Sequence, residues 1–223
     1  MEHTVVVTGS ATGIGAAVVR KFLQNGYGVV GIDKDPATIQ HPNYAHFQYE
    51  ITGTDKDFSF LPCVEHCEIL INNAGVQNSG KDIDINLRGL MNCTQVYGLH
   101  RNIKAIVNIG SASAHHSAEF PEYVASKGGV LAYSRWTAKE IAKYGATCNC
   151  ISPGGVLTDL NKCVMNNKYL WKQIMDVTPL KRWATAEEIA DWVYFLAVMN
   201  RSCTGQAILI DNGEFYNHQF IWE

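Results

Sequence analysis

Tyr123 and Lys127 lie four residues apart, a spacing that places two side chains on one face of a helix. A free tyrosine titrates near pH ~10, which is too high for a base at neutral pH. A neighbouring ammonium group favours the phenolate and lowers the pKa of the tyrosine. The pair is therefore a candidate for proton transfer. The same spacing is common on exposed helices, so the pair alone is weak evidence.

A second candidate site is the glycine-rich segment 8–15, which follows an apolar segment and opens a helical pattern. Gly9, Gly13 and Gly15 would permit a tight turn, let the backbone approach a pyrophosphate and let a helix pack on a strand. The N–H groups at the start of that helix would attract phosphate oxygens. The segment, including Ser10, Thr12 and Ile14, is predicted to bind a dinucleotide cofactor.

Asp33 ends the second predicted strand, 24 residues after Gly9. A carboxylate there accepts hydrogen bonds from both hydroxyls of an adenine ribose and repels a 2′-phosphate. Thr12 stands where a basic residue would help to bind that phosphate. These two residues favour NAD over NADP, while Lys34 keeps NADP open. The alternative for Asp33 is a carboxylate that only supports a turn or cap.

Short apolar segments alternate with longer helical patterns along the chain. Several of the apolar segments lack alternating polar residues, which is typical of strands covered on both faces. The predicted strands are residues 4–8, 29–33, 44–50, 68–72, 105–110, 147–151 and 207–211. The predicted helices are residues 14–24, about 83–100, about 121–143, and 186–199. This order predicts one α/β domain, a doubly wound Rossmann-type parallel sheet of about seven strands over residues 1–223.

Composition excludes several classes of function. With 18 basic and 21 acidic residues, the net charge is −3, and nothing indicates a nucleic-acid partner. No apolar segment approaches the ~20 residues of a membrane span. The first residues lack the pattern of a signal peptide, so a cytoplasmic location is expected. The seven cysteines lack zinc-ligand spacing, and His115 and His116 are interpreted as loop residues, so no metal is predicted.

Taken together, these residues resemble the short-chain dehydrogenase/reductase family from Thr4 to about Gly213. Six of the family's motifs occur in order and in the right structural contexts, and two later segments resemble the family's last helix and the entry to its last strand. The matching segments are residues 8–15, 72–75, 84–89, 107–111, 123–127, 149–158, 186–190 and 204–206.

The resemblance implies a catalytic set of Asn86, Ser111, Tyr123 and Lys127. Tyr123 would exchange a proton with the substrate oxygen, and Ser111 would hydrogen-bond the same oxygen. Lys127 would lower the pKa of Tyr123 and hold the nicotinamide ribose, while Asn86 would hold a water that links Lys127 to solvent. Ser113 is a rival for the serine, because Ser111 is one residue closer to Tyr123 than the family's usual spacing. Read alone, Asn86 would be a cap or a helix-bend residue.

The resemblance also implies further contacts with the cofactor. Thr158 would bond the nicotinamide carboxamide, and Val156 would lie behind the ring. Glu50 falls near the position whose acid contacts the adenine, where the family usually has Asp. The remaining members of the implied cofactor site are Asn73, Ala74, Gly75, Pro153 and Gly154, of which Asn73 is interpreted as mainly structural.

The chain departs from the family pattern by being short in two segments. Only ten residues, 76–85, separate Gly75 from Asn86, and segment 52–66 is also short for a crossover helix. We expect two helices there to be missing or reduced to a turn. The exposed sheet face would then be covered by a neighbouring subunit, in a homodimer or homotetramer.

Residues 158–182 are expected to form a lid over a small-molecule substrate, an alcohol or a ketone. Lid residues 160–181 include a stripe of apolar and aromatic side chains, used either as core or to face the substrate: Val164, Met165, Tyr169, Leu170, Trp171, Ile174 and Met175. The aromatic segment 215–222 is expected to pack at a subunit interface or over the cleft.

The leading hypothesis is an NAD-dependent oxidoreductase that interconverts a secondary alcohol and a ketone. A 3-oxoacyl-type NADPH reductase is an alternative, which Asp33 weakens. A binding or scaffold member without catalysis is a second alternative, although all four catalytic residues are present. A nucleotide-sugar epimerase or dehydratase would carry a longer substrate domain.

Overall fold

A computed structural model describes residues 4–53, 61–64, 66–117, 120–216 and 221–222. Seven parallel strands form one sheet in the order β3-β2-β1-β4-β5-β6-β7, which confirms the predicted doubly wound fold. Their ends differ from the predicted ones by up to two residues, so that Tyr49 and Glu50 follow β3 instead of belonging to it. The strands are β1 Thr4–Thr8, β2 Gly28–Asp33, β3 Tyr44–Gln48, β4 Cys67–Asn72, β5 Ala105–Ile109, β6 Thr147–Pro153 and β7 Ala207–Ile210.

The helices lie where the helical patterns predicted them, with three additional short helices at residues 113–116, 162–166 and 168–177. Residues predicted as one helix at 83–100 form a π-helix, Ile83–Gly89, and then α2. His115 and His116 lie in a short helix, α3, so their interpretation as loop residues was wrong. The helices are α1 Gly13–Gln24, α2 Leu90–Tyr97, α3 Ser113–His116, α4 Pro121–Ile141, α5 Lys162–Asn166, α6 Lys168–Val177 and α7 Ala186–Tyr194, which continues as a π-helix over Phe195–Met199.

Both faces of the sheet are covered. Successive side chains of a strand point to opposite faces. On β1, Val5 and Val7 join a cluster with α1 and α7, whereas Val6 joins a second cluster with α2 and α4. Both faces of β1 are therefore buried, as its apolar sequence indicated.

The order of the strands creates a crevice where β1 and β4 are neighbours. The chain leaves β1 towards β2 on one side and reaches β4 on the other, and ligands of such sheets bind at the carboxyl ends beside this point. Gly9 begins the turn after β1 with φ +66°, and a Cβ at this position would lie 2.7 Å from the Cα of Ala74. Glycine is thus required by both conformation and space.

The segment between β4 and the π-helix is short, as expected. Residues 73–81 form bends and extended backbone without a helix. In segment 52–66, the described residues 52–53, 61–64 and 66 are also not helical, while the rest of that segment lies outside the described residues. None of the helices in the described part of the chain is long and apolar enough to cross a membrane.

Candidate active site

A cleft of about 700 Å³ runs along the carboxyl ends of the strands, a size typical of small-molecule sites. Most of the residues predicted to bind cofactor or substrate line it. They are Gly9, Thr12, Gly13, Ile14, Asp33, Glu50, Asn73, Ala74, Gly75, Ser111, Tyr123, Lys127, Pro153, Gly154, Val156 and Thr158. Ser10, Gly15 and Asn86, also predicted, lie behind the wall of the cleft.

Tyr123 and Lys127 lie one turn apart on α4, facing the cleft together. The Lys127 Nζ is 5.8 Å from the centroid of the Tyr123 ring and donates a hydrogen bond of 2.9 Å to the carbonyl of Ile109, at the end of β5. Lys127 is only 5% exposed. Burial lowers the pKa of Lys127 from 10.5 to about 8, although the charge of Asp82 opposes this shift.

Ser111 and Ser113 have different positions, although their hydroxyls are 2.8 Å apart. Ser111 follows β5 and lines the cleft. Ser113 is fully buried in the first turn of α3, and its N–H donates to the Ser111 Oγ at 3.2 Å. Of the two serines, Ser111 lies at the cleft and Ser113 lies behind it.

Asn86 lies in the π-helix, where it is buried behind Gly75. Its Oδ1 accepts from the N–H of Val76 at 2.8 Å. Its Nδ2 donates to the Val76 carbonyl at 2.9 Å and to the Ser126 Oγ at 3.0 Å. Both amide hydrogens are thus in use, so only the second lone pair of Oδ1 and the main-chain carbonyl remain to hold a water. Single turns of π-helix are frequent at functional sites.

The start of α1 faces the phosphate end of the cleft. Thr12 precedes the helix and makes no side-chain cap, and the first turn contains no acidic residue. Its N–H groups are therefore open to an anion. Gly15 serves the packing instead, because a Cβ there would lie 1.9 Å from the Gly9 carbonyl oxygen. The buried Ser10 accepts a hydrogen bond of 3.2 Å from the Tyr44 hydroxyl.

Asp33 both supports the glycine-rich turn and faces the cleft. Its Oδ2 accepts from the N–H of Ala11 at 2.8 Å, and its Oδ1 accepts from the N–H of Asp35 at 3.0 Å. Each oxygen keeps a free lone pair for a further donor. Asp35 also lines the cleft and adds a second negative charge near this end.

Asn73 holds the glycine-rich turn in place. This fits its interpretation as a mainly structural residue. Its Nδ2 donates to the carbonyls of Thr8 and Gly9 at 3.1 and 2.9 Å. Its own N–H donates to the Thr8 Oγ1 at 3.0 Å. Asn73 therefore fixes the ends of β1 and β4 relative to each other.

Two residues on the opposite wall of the cleft were missed from the sequence. Glu214, just after β7, accepts a 3.0 Å hydrogen bond from the N–H of Gly155 and a 2.6 Å one from the Trp183 Nε1. Both residues line the cleft beside the turn 153–156. No local motif marks them, because each contact joins segments more than thirty residues apart.

The predicted lid, residues 158–182, contains a short 3-10 helix at Asp159–Asn161, then α5 and α6. Most of its apolar residues form a core of their own around Val164, Ile174 and Trp183. Ile174 also lines the cleft, whereas Tyr169 is 70% exposed. The apolar stripe is thus used mainly as core.

The segment after β7 returns to the cleft. Ile221 and Trp222 line the cleft and pack against the lid core. The ring of Trp222 meets that of Phe120 edge to face, with centroids 5.5 Å apart. Residues 217–220 of this segment lie outside the described residues. Of the two predicted positions for the segment, the described part takes the one over the cleft.

Metal and disulfide sites are not seen in the described residues. No three His, Cys, Asp or Glu side chains of the described ranges are grouped as metal ligands. All seven cysteines are free.

Comparison with known proteins identifies the family. Residues 64–214 match the family model described as "Enoyl-(Acyl carrier protein) reductase". The chain is 30% identical to the 3-oxoacyl-[acyl-carrier-protein] reductase of Chlamydia pneumoniae, over 95% of this chain and 96% of that protein.

Solved structures agree. An oxidoreductase of the short-chain dehydrogenase/reductase family from Burkholderia thailandensis superposes with a TM-score of 0.85, at 26% identity, over 96% of this chain and 93% of that one. A 4-hydroxyisoleucine dehydrogenase mutant complexed with NADH and succinate gives 0.81, at 26% identity, over 95% and 98%. The chain belongs to the short-chain dehydrogenase/reductase family, as an oxidoreductase that acts on a CH–OH group with a nicotinamide cofactor.

Proposed function

We propose that this protein interconverts a secondary alcohol and a ketone, with NAD as cofactor. The observation that carries the proposal is the meeting of three groups in one cleft: the Ser111 hydroxyl, the Tyr123 phenol and the buried Lys127 ammonium. All three lie where β5 ends and α4 begins. This is a set of groups suited to moving a proton at a substrate oxygen.

The division of labour follows from the position of each group. When bound, the nicotinamide takes or supplies the hydride, while the protein supplies orientation and electrostatics. Tyr123 accepts the proton of the alcohol, or returns it to the ketone oxygen. Ser111 donates a hydrogen bond to the same oxygen and stabilises the charge that develops there. The ammonium of Lys127 favours the phenolate of Tyr123.

Asn86 is proposed to keep the proton supply in place. A Cβ on Gly75 would lie 3.2 Å from the Asn86 Oδ1 and 3.4 Å from the Lys127 Nζ. Asn86 and Lys127 thus approach the same side of Gly75. A water held by Asn86 would connect Lys127 to solvent.

The choice of NAD rests on Asp33 and Asp35. Their negative charges lie at the end of β2, where a 2′-phosphate on the adenine ribose would meet them. Thr12 adds no positive charge. Lys34 also lines the cleft and is the reason to measure NADP as well. The 4-hydroxyisoleucine dehydrogenase of similar structure was complexed with NADH.

We propose that residues 158–182 act as a lid and that the substrate is uncharged and largely apolar. The cleft beneath the lid is lined by Leu160, Ile174, Val177, Trp183, Ile221 and Trp222. Among the described residues on this side, none is a lysine or arginine, and Glu214 is acidic. Such a surface favours a hydrophobic ketone over an anionic one.

A 3-oxoacyl thioester is the second candidate substrate, because the chlamydial relative is a 3-oxoacyl-[acyl-carrier-protein] reductase. A thioester with a small carrier mimic should be compared with simple ketones. Faster turnover of the thioester would favour this candidate.

The proposed function is tested by a panel of alcohols and ketones with both cofactors, followed by nicotinamide absorbance. Tyr123→Phe removes only the phenol oxygen, so turnover should fall by about 10²–10⁴-fold while NADH binding persists. Tyr144→Phe, at an exposed position after α4, is the matched control and should keep full activity. Full activity of Tyr123→Phe on an accepted substrate would contradict the proposal.

We also propose that the protein is a homodimer or homotetramer, supported by exposed aromatic residues on α4 and α7. The cytoplasmic location expected from the sequence stays a prediction.

A further inference from the structure

Glu214 lies in a short 3-10 helix, Glu214–Tyr216, which begins four residues after the end of β7. Each of its two carboxylate oxygens accepts a hydrogen bond from an N–H group, and the two donors belong to different segments. The Oε2 accepts from Gly155, in the turn after β6, at 3.0 Å, and the Oε1 accepts from the Trp183 indole at 2.6 Å. The Thr178 hydroxyl is 3.3 Å from Oε1, but its hydrogen is shared with a shorter bond of 2.8 Å to the Ile174 carbonyl.

The turn after β6 is shaped to receive this carboxylate and this indole. A Cβ on Gly154 would lie 2.4 Å from the Glu214 Oε2, and a Cβ on Gly155 would lie 2.0 Å from the Trp183 ring. Neither glycine has the positive φ that would itself require glycine. Glycine is needed at both positions because Glu214 and Trp183 occupy the space that a side chain would fill.

The same turn is already tied to its neighbours through the backbone. The N–H of Gly154 donates to the Ile210 carbonyl at 3.0 Å, and Ala184 donates to the Gly155 carbonyl at 3.2 Å. The N–H of Gly155 is left for a side chain, and Glu214 supplies the acceptor. Trp183 extends the connection, because its ring packs with Val164 and Ile174 in the lid core.

Burial makes the charged form of the Glu214 carboxylate less favourable. Burial raises the pKa of Glu214, and the nearby Asp211 raises it further, while the hydrogen bonds from Gly155, Trp183 and Thr178 lower it. A buried carboxylate needs such donors. A glutamine has an NH₂ group in place of one of the two oxygens, so in the same position one of the two N–H groups would face a donor instead of an acceptor.

We propose that Glu214 is a positioning residue that holds the turn 153–156 and Trp183 in the geometry that receives the nicotinamide end of the cofactor, and so connects that turn to the lid. This inference rests on the proposed function, because the turn is a cofactor contact only if the cleft binds a nicotinamide.

The test compares Glu214→Gln, Trp183→Phe and the double variant. NADH binding is measured by quenching of tryptophan fluorescence, with a fluorescent nicotinamide signal as a second readout for variants that lack Trp183. Each single substitution should weaken NADH binding by about tenfold. The double variant should be no weaker than the poorer single variant, because both changes break the same connection. Glu187→Gln, at an exposed position in the first turn of α7, is the matched control and should bind like wild type.

A second readout needs neither cofactor nor turnover. In the protein without cofactor, Glu214→Gln should speed amide hydrogen exchange in the turn 153–156 and in α6, but not in α1. Unchanged exchange in both segments, or unchanged NADH affinity with only a lower melting temperature, would overturn the proposal. If wild type itself binds no NADH, the proposed function fails, and the exchange experiment still judges whether Glu214 connects the turn to the lid.

Discussion

Lys127 is a lysine buried in the wall of the cleft. It is almost fully buried, and its ammonium has one hydrogen bond of 2.9 Å, to the Ile109 carbonyl. Burial lowers the pKa of Lys127 to about 8, so the charged form that would assist Tyr123 is disfavoured by the fold itself. Activity and stability therefore make opposite demands on this residue.

The free-energy cost of burying the Lys127 ammonium should appear in the pH dependence of stability. Below pH ~8 Lys127 is charged in both the folded and unfolded states, and the fold bears the full penalty. Between this pH and 10.5 the unfolded chain binds more protons, so stability rises with pH. A lowering from 10.5 to about 8 corresponds to a penalty on the order of 3 kcal/mol.

Lys127→Met removes the charge at similar length. The free energy of unfolding of the variant minus that of wild type should be largest at pH 7 and fall by about 3 kcal/mol by pH 10.5. Urea unfolding at several pH values measures it, and Lys143→Met, an exposed change, should give a constant difference. A constant difference for Lys127→Met as well would show that the lysine is not desolvated. Turnover of this variant should be lost.

The charge of Asp33 should also have a measurable effect, on the preference for NAD over NADP. Asp33→Asn removes the charge but keeps a carbonyl oxygen that can accept from Ala11 or Asp35. The preference for NAD over NADP, as a ratio of kcat/KM values, should fall by about tenfold. Asp191→Asn, which changes a charge paired with Lys21 on the outer helices, serves as the control. An unchanged ratio in Asp33→Asn would remove the charge argument for NAD.

Spacing along the chain was sufficient to predict the site residues that lie on a single helix or strand, or on consecutive ones. Tyr123 and Lys127 share α4, and Gly9, Gly13 and Asp33 end or follow β1 and β2, so local pattern places them. Glu214 could not be predicted this way, since it meets Gly155 and Trp183 only through the tertiary packing of three segments. The choice between Ser111 and Ser113 was likewise open, because α3 was not predicted.

At the scale of elements, the sheet was easier to predict than its connections. Strands buried on both faces show themselves as apolar segments, and their right-handed crossovers follow from general rules. The π-helix at Ile83–Gly89 carries no comparable pattern. It arises where Asn86 pairs with both backbone groups of Val76, a contact that depends on the shortened segment before it.

The predicted lid and the segment after β7 line the same side of the cleft, where we propose that the substrate binds. Trp222 contacts Phe120 on one side and the lid core on the other. Trp222→Ala should therefore widen the cleft. The ratio of kcat/KM for a bulky ketone to that for a small one should rise by about tenfold, the size of effect that a few methylene groups give in a hydrophobic pocket. NADH affinity should stay the same.

Tyr216→Ala is the control for this experiment, because Tyr216 belongs to the same segment but is 82% exposed. Its substrate ratio should match that of wild type. An unchanged ratio in Trp222→Ala would mean that this residue does not bound the substrate.

At the scale of the whole molecule, large apolar side chains remain exposed on both sides of the sheet. On α4, Tyr133 and Trp136 stack with centroids 5.2 Å apart, and Trp136 is 44% exposed. On α7 and its extension, Trp192 and Phe195 meet edge to face and are 41% and 43% exposed. These helices cover opposite faces of the sheet. Exposed aromatic pairs of this kind are typical of protein interfaces.

Two separate patches distinguish a tetramer from a dimer. If both are interfaces, wild type should have four times the chain mass by light scattering, and Trp136→Glu or Trp192→Glu should each yield dimers, because burying an unpaired carboxylate at an interface is costly. If only one patch is used, wild type should be a dimer and only one substitution should yield monomers. Tyr169→Glu, 70% exposed on the lid, should leave the mass unchanged. Since residues 73–81 contribute no helix to cover the sheet, we expect subunit contacts to contribute to the stability of the protein, so the melting temperature should rise with protein concentration. A monomeric wild type at micromolar concentration would contradict this expectation, and the exposed aromatic residues would then need another partner.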